Sequence, residues 1–223
     1  MPTAEQILAG LSEIANDWPL VATLWHLFFA GLAVAVIANY RPSRREMGLY
    51  LVLPFISVSG LGWLYGMPFI GASFAFTGLL LYLATFFLGH DEAAPGPSWM
   101  VAAGVVLFVA GWAYPHFLDT VSNWPYAYRG PAGLIPCPTL LVLTGFTLML
   151  GGLGSGVWCW TLVVLGMAYG LMGTLWLDVT LDWALVAGAA LLAMARLLAM
   201  PHAPKTTEPV KRKDERIEPR MPA

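Results

Sequence analysis

Apolar runs of about 20 residues recur along this chain, and the connections between them are too short to form domains of their own. Each run is long enough to cross the ~30 Å hydrocarbon layer of a bilayer as a helix. Lipid offers no partner to a backbone N–H or C=O, so a chain immersed in it must close its hydrogen bonds internally, as a helix does. The composition agrees. Hydrophobic residues make up 58% of the chain and charged residues only 11%, where a soluble domain carries about a quarter charged. A soluble fold could not hide so much apolar surface. The 223 residues leave room for about six to eight crossings in one bundle, with no second domain.

In chain order, Thr3 to Asp17 reads as a short amphipathic helix. Thr3 and Gln6 have capping-box spacing, and Ile7, Leu11, Ile14 and Trp18 share one helical face. This segment, residues 1–18, is expected to lie in the membrane interface. It carries Glu5, Glu13 and Asp17 with no Lys or Arg, the reverse of the basic start of a secretory signal. Seven spans follow within residues 19–200, over about Pro19–Ala38, Met47–Tyr65, Phe69–Leu88, Trp99–Leu118, Pro138–Leu150, Val157–Trp176 and Asp182–Met200. Pro54 is tolerated inside the second. The fifth is short for a straight crossing, so part of Gly130–Pro136 is expected to dip into the membrane. Residues 201–223 read as a disordered, charged cytoplasmic tail.

Orientation follows from the basic residues. With seven spans and the N-terminus outside, the cytoplasmic side receives the Arg41–Arg45 turn, the His90–Ser98 loop, the Gly151–Gly156 turn, Arg196 and the tail. Together these hold ten of the eleven Lys and Arg residues, and Arg129 alone lies outside. Six or eight spans would put a basic cluster on the wrong side. The pattern is that of a multi-pass protein of a bacterial cytoplasmic membrane.

Chemistry concentrates in Tyr114–Thr139, the one long connection with reactive side chains. Cys137 lies between Pro136 and Pro138. A residue before proline is pushed to extended backbone, and proline suits a first helical turn, so Cys137 is expected at the N-cap of span five. There a thiolate could serve a soft metal or a redox step, or the prolines simply shape a turn around a small apolar residue. His116 and His26 fall in the outer half of the bilayer, where an ionisable residue is a functional candidate. Asp119, Asp178 and Asp182 gather at the outer face with Arg129. They could form a cation-attracting vestibule, or act as helix caps, with Asp182 the N-cap of span seven. Trp18, Trp25, Trp63, Trp112, Trp124, Trp176 and Trp183 map to the outer half as an aromatic belt. Gly62/Gly66 and Gly166/Gly170 allow close helix packing. A disulfide between Cys137 and Cys159 is excluded, because the topology puts them at opposite ends. No span contains a lysine for a Schiff base, and no nucleotide-binding or zinc-type spacing occurs.

The Tyr114-Pro115 pair and the run Gly133-Leu134-Ile135-Pro136-Cys137-Pro138-Thr139 resemble a family of small bacterial polytopic membrane proteins of unknown function. The resemblance extends over most of residues 5 to 200. It takes in the acidic N-terminal helix before Trp18-Pro19, the Arg-rich first turn and the acidic turn from Asp178 to Asp182. The longer loop containing Trp124-Pro125-Tyr126-Ala127-Tyr128-Arg129 and the charged tail depart from it. The resemblance implies the architecture and the Pro-Cys-Pro turn, and no activity.

The expected fold is therefore an all-α bundle in a lipid bilayer. The leading functional expectation is a small transporter or permeation protein, with its site at the broken start of span five. A non-catalytic membrane subunit or scaffold, bound to a membrane partner or to its own copies, is the alternative. A metal or haem redox protein using Cys137, His116 and His26 is the third. No cofactor is required by the first two, nothing points to nucleic acid, and the short loops hold no catalytic domain. No carboxylate is expected mid-span, which argues against a buried acidic proton relay.

Overall fold

The computed structural model describes residues 3–38 and 40–198, and their regular structure is helical apart from one antiparallel bridge, Ser43–Glu92. In chain order the described helices are α1 (Ala4–Asp17), α2 (Pro19–Ile37), α3 (Arg44–Leu64), α4 (Pro68–Thr85), α5 (Ser98–Trp112), α6 (Tyr126–Arg129), α7 (Pro136–Met149), α8 (Gly156–Leu175) and α9 (Trp183–Leu198). The charged tail expected after residue 200 lies outside the described residues.

Five of these stretches are long and apolar enough to cross a membrane: Pro19–Ile37, Arg44–Leu64, Pro68–Thr85, Gly156–Leu175 and Thr180–Leu198. The chain is an all-helical membrane protein by this measure. The two others expected as spans are shorter. α5 has 15 residues and α7 has 14, which at 1.5 Å per residue reach about 22 and 21 Å.

Local sequence explains most boundaries. Thr3 and Gln6 close the expected capping box on α1, and Ser43 with Glu46 closes another on α3. Pro19, Pro68 and Pro136 occupy first-turn positions, where a missing N–H costs nothing. α5 is the clearest departure from expectation, because it stops at Trp112 and not near Leu118. Pro115 pushes Tyr114 away from helical backbone, so the chain leaves the helix just before it.

The helices pair as α3–α4, α5–α7 and α8–α9 hairpins around α7. The α5–α7 crossing is backbone on backbone. A methyl group on Gly104 would stand 2.5 Å from the Gly145 carbonyl, and one on Gly145 would stand 2.7 Å from the Gly104 carbonyl. Twelve of the fourteen residues of α7 are buried, so this helix meets protein on every side. The apolar exterior is left to the other helices: Leu20, Leu27, Ile37, Ile56, Phe76, Phe87 and Val164 are all exposed, as expected of side chains that face lipid.

Candidate functional site

At the end of the bundle where α7 begins, residues 130–135 form a wholly buried, non-helical approach to the helix. It is tied locally. Leu134 and Ile135 donate to the Pro131 carbonyl, Gly133 donates to Thr139 Oγ1 at 2.8 Å, and Thr139 Oγ1 donates to the Ile135 carbonyl at 2.6 Å. Gly133 has φ +86°, and the Trp25 indole of α2 lies where a side chain would start. Only glycine serves there.

Cys137 is not the N-cap of α7. Ile135 is, with φ −124° and ψ 159°. The rule that a residue before proline is extended acts one proline earlier than the sequence reading placed it. Pro136 and Pro138 are buried in the first turn with Cys137 between them. The half-buried Cys137 shares a cavity wall with Asp182.

Asp182 is the centre of this region. It stands directly before α9, but its carboxylate does not sit on the surface as a cap: the residue is 1% exposed. Its Oδ1 accepts the Tyr114 hydroxyl at 2.6 Å. Its Oδ2 lies against Gly173 of α8, where any side chain would collide with it. One carboxylate thus joins the end of α5, the start of α7, α8 and α9. The carboxylate is buried at the start of the last helix and not mid-span, and a partner 68 residues away in sequence satisfies it. Beside this knot is a cavity of about 20 Å³, walled by Cys137, Asp182, Tyr169, Phe117, Ile7 and Leu11. That is room for about one water molecule.

α1 covers the cavity. Its Leu11 and Ile14 are buried against the bundle. Phe117 has φ +78°, and its carbonyl accepts Ser12 Oγ at 3.0 Å and Asn16 Nδ2 at 2.9 Å. Asn16 Oδ1 in turn accepts the Asp119 N–H at 2.9 Å. The Asn16 amide therefore clasps the loop backbone at 117 and 119 as a strand neighbour would. Trp18 Nε1 donates to Tyr65 Oη at 3.0 Å, and Tyr65 Oη donates to Asp17 Oδ2 at 2.7 Å, which ties the end of α1 to the α3–α4 turn.

The remaining candidates disperse. His116 is exposed in the loop, edge-on to Phe117 with ring centroids 4.4 Å apart. Asp119 and Asp178 are exposed. Arg129 closes the single-turn helix α6. Its Nε is buried without a hydrogen-bond partner, and among the described residues it makes no ion pair with the three aspartates. The vestibule of paired Asp and Arg charges is thus not what the chain builds.

His26 is buried at 3% exposure on the far side of the loop. Its Nδ1 meets the Ala22 carbonyl at 3.0 Å and its Nε2 the Trp112 carbonyl at 3.1 Å. A neutral imidazole has one N–H and can donate to only one of them at a time. Both nitrogens are turned to backbone, so the ring holds the end of α5 against α2. The expected convergence of His26, His116 and Cys137 does not occur, and no group of three or more His, Cys, Asp or Glu side chains comes together among the described residues.

Of the seven tryptophans read as a belt, Trp63, Trp124, Trp176 and Trp183 are exposed. Trp18, Trp25 and Trp112 turn inward and build this end of the bundle. Sequence reasoning missed Tyr114, Gly173, Ser12 and Asn16. Gly173 had a signal, since Gly166, Gly170 and Gly173 mark one small-residue face of α8 that ends opposite Asp182. Set against known protein families, curated proteins and solved structures, the chain matches none.

Proposed function

We propose that this chain is a seven-span protein of the cytoplasmic membrane, with its N-terminus outside, that acts as a small transporter or permeation protein. The buried Asp182 carboxylate at the broken start of α7, beneath a cover held by a few polar contacts, carries this reading. Non-helical backbone at membrane depth is tolerated where it is buried in protein or lines a cavity. Paired with an interrupted helix, it is a recurring way to build a transport site. The segment 130–135 gives the short α7 the length to complete a crossing, and residues 113–118 do so for α5. The arginines then fall inside as the basic-residue rule requires, apart from Arg129.

In this reading the structure is the closed form. The knot of Asp182, Tyr114 and Cys137 becomes the binding surface once α1 and the Phe117 loop lift. A carboxylate with hydroxyl and thiol neighbours suits a small cation or a polar solute with donor groups.

The test uses Cys137 as reporter in a Cys159→Ser background, probed with a membrane-impermeant maleimide on intact cells. Wild-type protein should label slowly from outside. Ser12→Ala combined with Asn16→Ala removes the clasp and should raise the rate about tenfold, the effect of losing one or two net hydrogen bonds. A thiol that labels only after unfolding in both proteins rejects an outward-opening site. A stoichiometric protein partner on mild extraction, with no solute flux in liposomes, would favour a scaffold instead.

A further inference from the structure

At the opposite end of the bundle, two arginines are seated on the glycine-rich turn between α7 and α8. Gly151, Gly152, Leu153 and Gly154 all have positive φ, from +53° to +73°. This tight left-handed turn leaves no side chain at 154 or 156, and guanidinium groups fill both places. A methyl on Gly154 would lie 2.5 Å from Arg44 Nη1, and one on Gly156 would lie 3.0 Å from Arg196 Nη2. Arg44 reaches in from α3 and Arg196 from α9.

Arg44 has acids close by in the fold, since its backbone N–H donates to the Asp91 carbonyl at 2.9 Å and Ser43 bridges to Glu92. Among the described residues neither arginine has an ion-pair partner. Glu46, the nearest acid in sequence to Arg44, is consumed by its own cap: Oε2 accepts Ser43 N at 2.8 Å and Ser43 Oγ at 2.9 Å. Arg196 Nε is buried with no hydrogen-bond partner, and an orphaned buried donor on a charged group is costly. Arginine does not escape by losing its proton. A permanent charge with an orphaned buried donor at Arg196 calls for an anion beside it.

The space for it exists. A pocket of about 230 Å³ opens beside the turn, walled by Arg196, Gly154, Ser155, Trp99, Met100 and Leu192. That volume holds a phosphate with its glycerol unit, about eight water volumes. The guanidinium end suits phosphate oxygens. The Trp99, Met100 and Leu192 walls suit hydrocarbon, which a free inorganic ion does not carry.

We propose that this pocket binds an anionic phospholipid, with its phosphate on Arg196 and its glycerol and first methylenes against Trp99, Met100 and Leu192. The inference rests on the chain being a membrane protein and is independent of the transport reading, since the two sites lie at opposite ends of α7. The bound lipid joins α5 and α9 at the turn before α8.

The test is thermal unfolding of the detergent-purified full chain with added phosphatidylglycerol, phosphatidylcholine or inorganic phosphate, together with lipid retention by native mass spectrometry. Phosphatidylglycerol should raise the midpoint and be retained at one per chain, and phosphatidylcholine should do neither. Arg196→Gln should weaken retention about tenfold, and Arg196→Lys should recover part of it. If Arg196→Gln does not fold, partial loss of retention in Arg196→Lys decides the matter. Equal stabilisation by phosphatidylcholine, unchanged retention in the variants, or an equal effect of inorganic phosphate alone would each overturn the proposal.

Discussion

Alanine at position 173 should unseat Asp182 and open the Cys137 end of the bundle. The added methyl falls on Asp182 Oδ2, and the carboxylate cannot simply swing aside, because Tyr114 holds its other oxygen at 2.6 Å. Something must shift among α5, α8 and α9. Overpacking of a tight core typically costs 1–3 kcal/mol, and stranding the buried Tyr114 hydroxyl adds about 1–3 kcal/mol where its bond is broken. The expected result for Gly173→Ala is a lower unfolding midpoint in detergent together with faster maleimide labelling of Cys137. Two further variants separate the packing from the polar contact. Asp182→Asn keeps an acceptor for Tyr114 and should be mild, whereas Asp182→Ala leaves the Tyr114 hydroxyl without one and should be as damaging as Gly173→Ala. Wild-type labelling and stability in Gly173→Ala would mean that Asp182 is not held where the structure places it.

The largest loss of stability is expected at the α5–α7 crossing. Valine at Gly104 or Gly145 would drive side-chain carbon into the facing backbone, and the atoms it meets are carbonyl oxygens and amide nitrogens that cannot rotate away. Small residues are what let membrane helices approach this closely. Either variant should cost at least ~3 kcal/mol, the upper part of the overpacking range, and the yield of folded, monodisperse protein should fall sharply. Gly31 and Gly60 provide the control, because a methyl at either would have nothing within 4 Å. Alanine there should be neutral or stabilising by about 0.5–1 kcal/mol, since it only restricts the unfolded chain. Similar damage at all four positions would mean that close approach at the α5–α7 crossing is not what sets the loss.

The sequence made the helices legible because their limits are set by neighbours in the chain. Thr3 with Gln6, and the prolines at 19, 68 and 136, act within one turn of themselves. Pro115 acts locally too, yet α5 was read too long, because the apolar run through Phe117 and Leu118 masks the break. The site was legible only as a region. Asp182 looks like any residue before a helix until Tyr114 arrives from the other side of the bundle. Ser12 and Asn16 look like the polar face of an interfacial helix until Phe117 presents its carbonyl at φ +78°. His26 looks like a lone ionisable group until two backbone carbonyls close on it. In each case the deciding partner is remote in sequence, and no local period encodes it.

The burial of α7 has a consequence for how the protein is made. The ribosome delivers α5 before α7, but two of the walls around α7, on α8 and α9, are delivered only after it. A nascent helix with Thr139, Thr144 and Thr147 on its flanks and too few residues to reach across the bilayer has little of its own to keep it there. Its one large packing partner made before it is α5, through Gly104 and Gly145. The centre of this protein is thus completed last, when the final helix arrives to enclose a segment synthesised some fifty residues earlier.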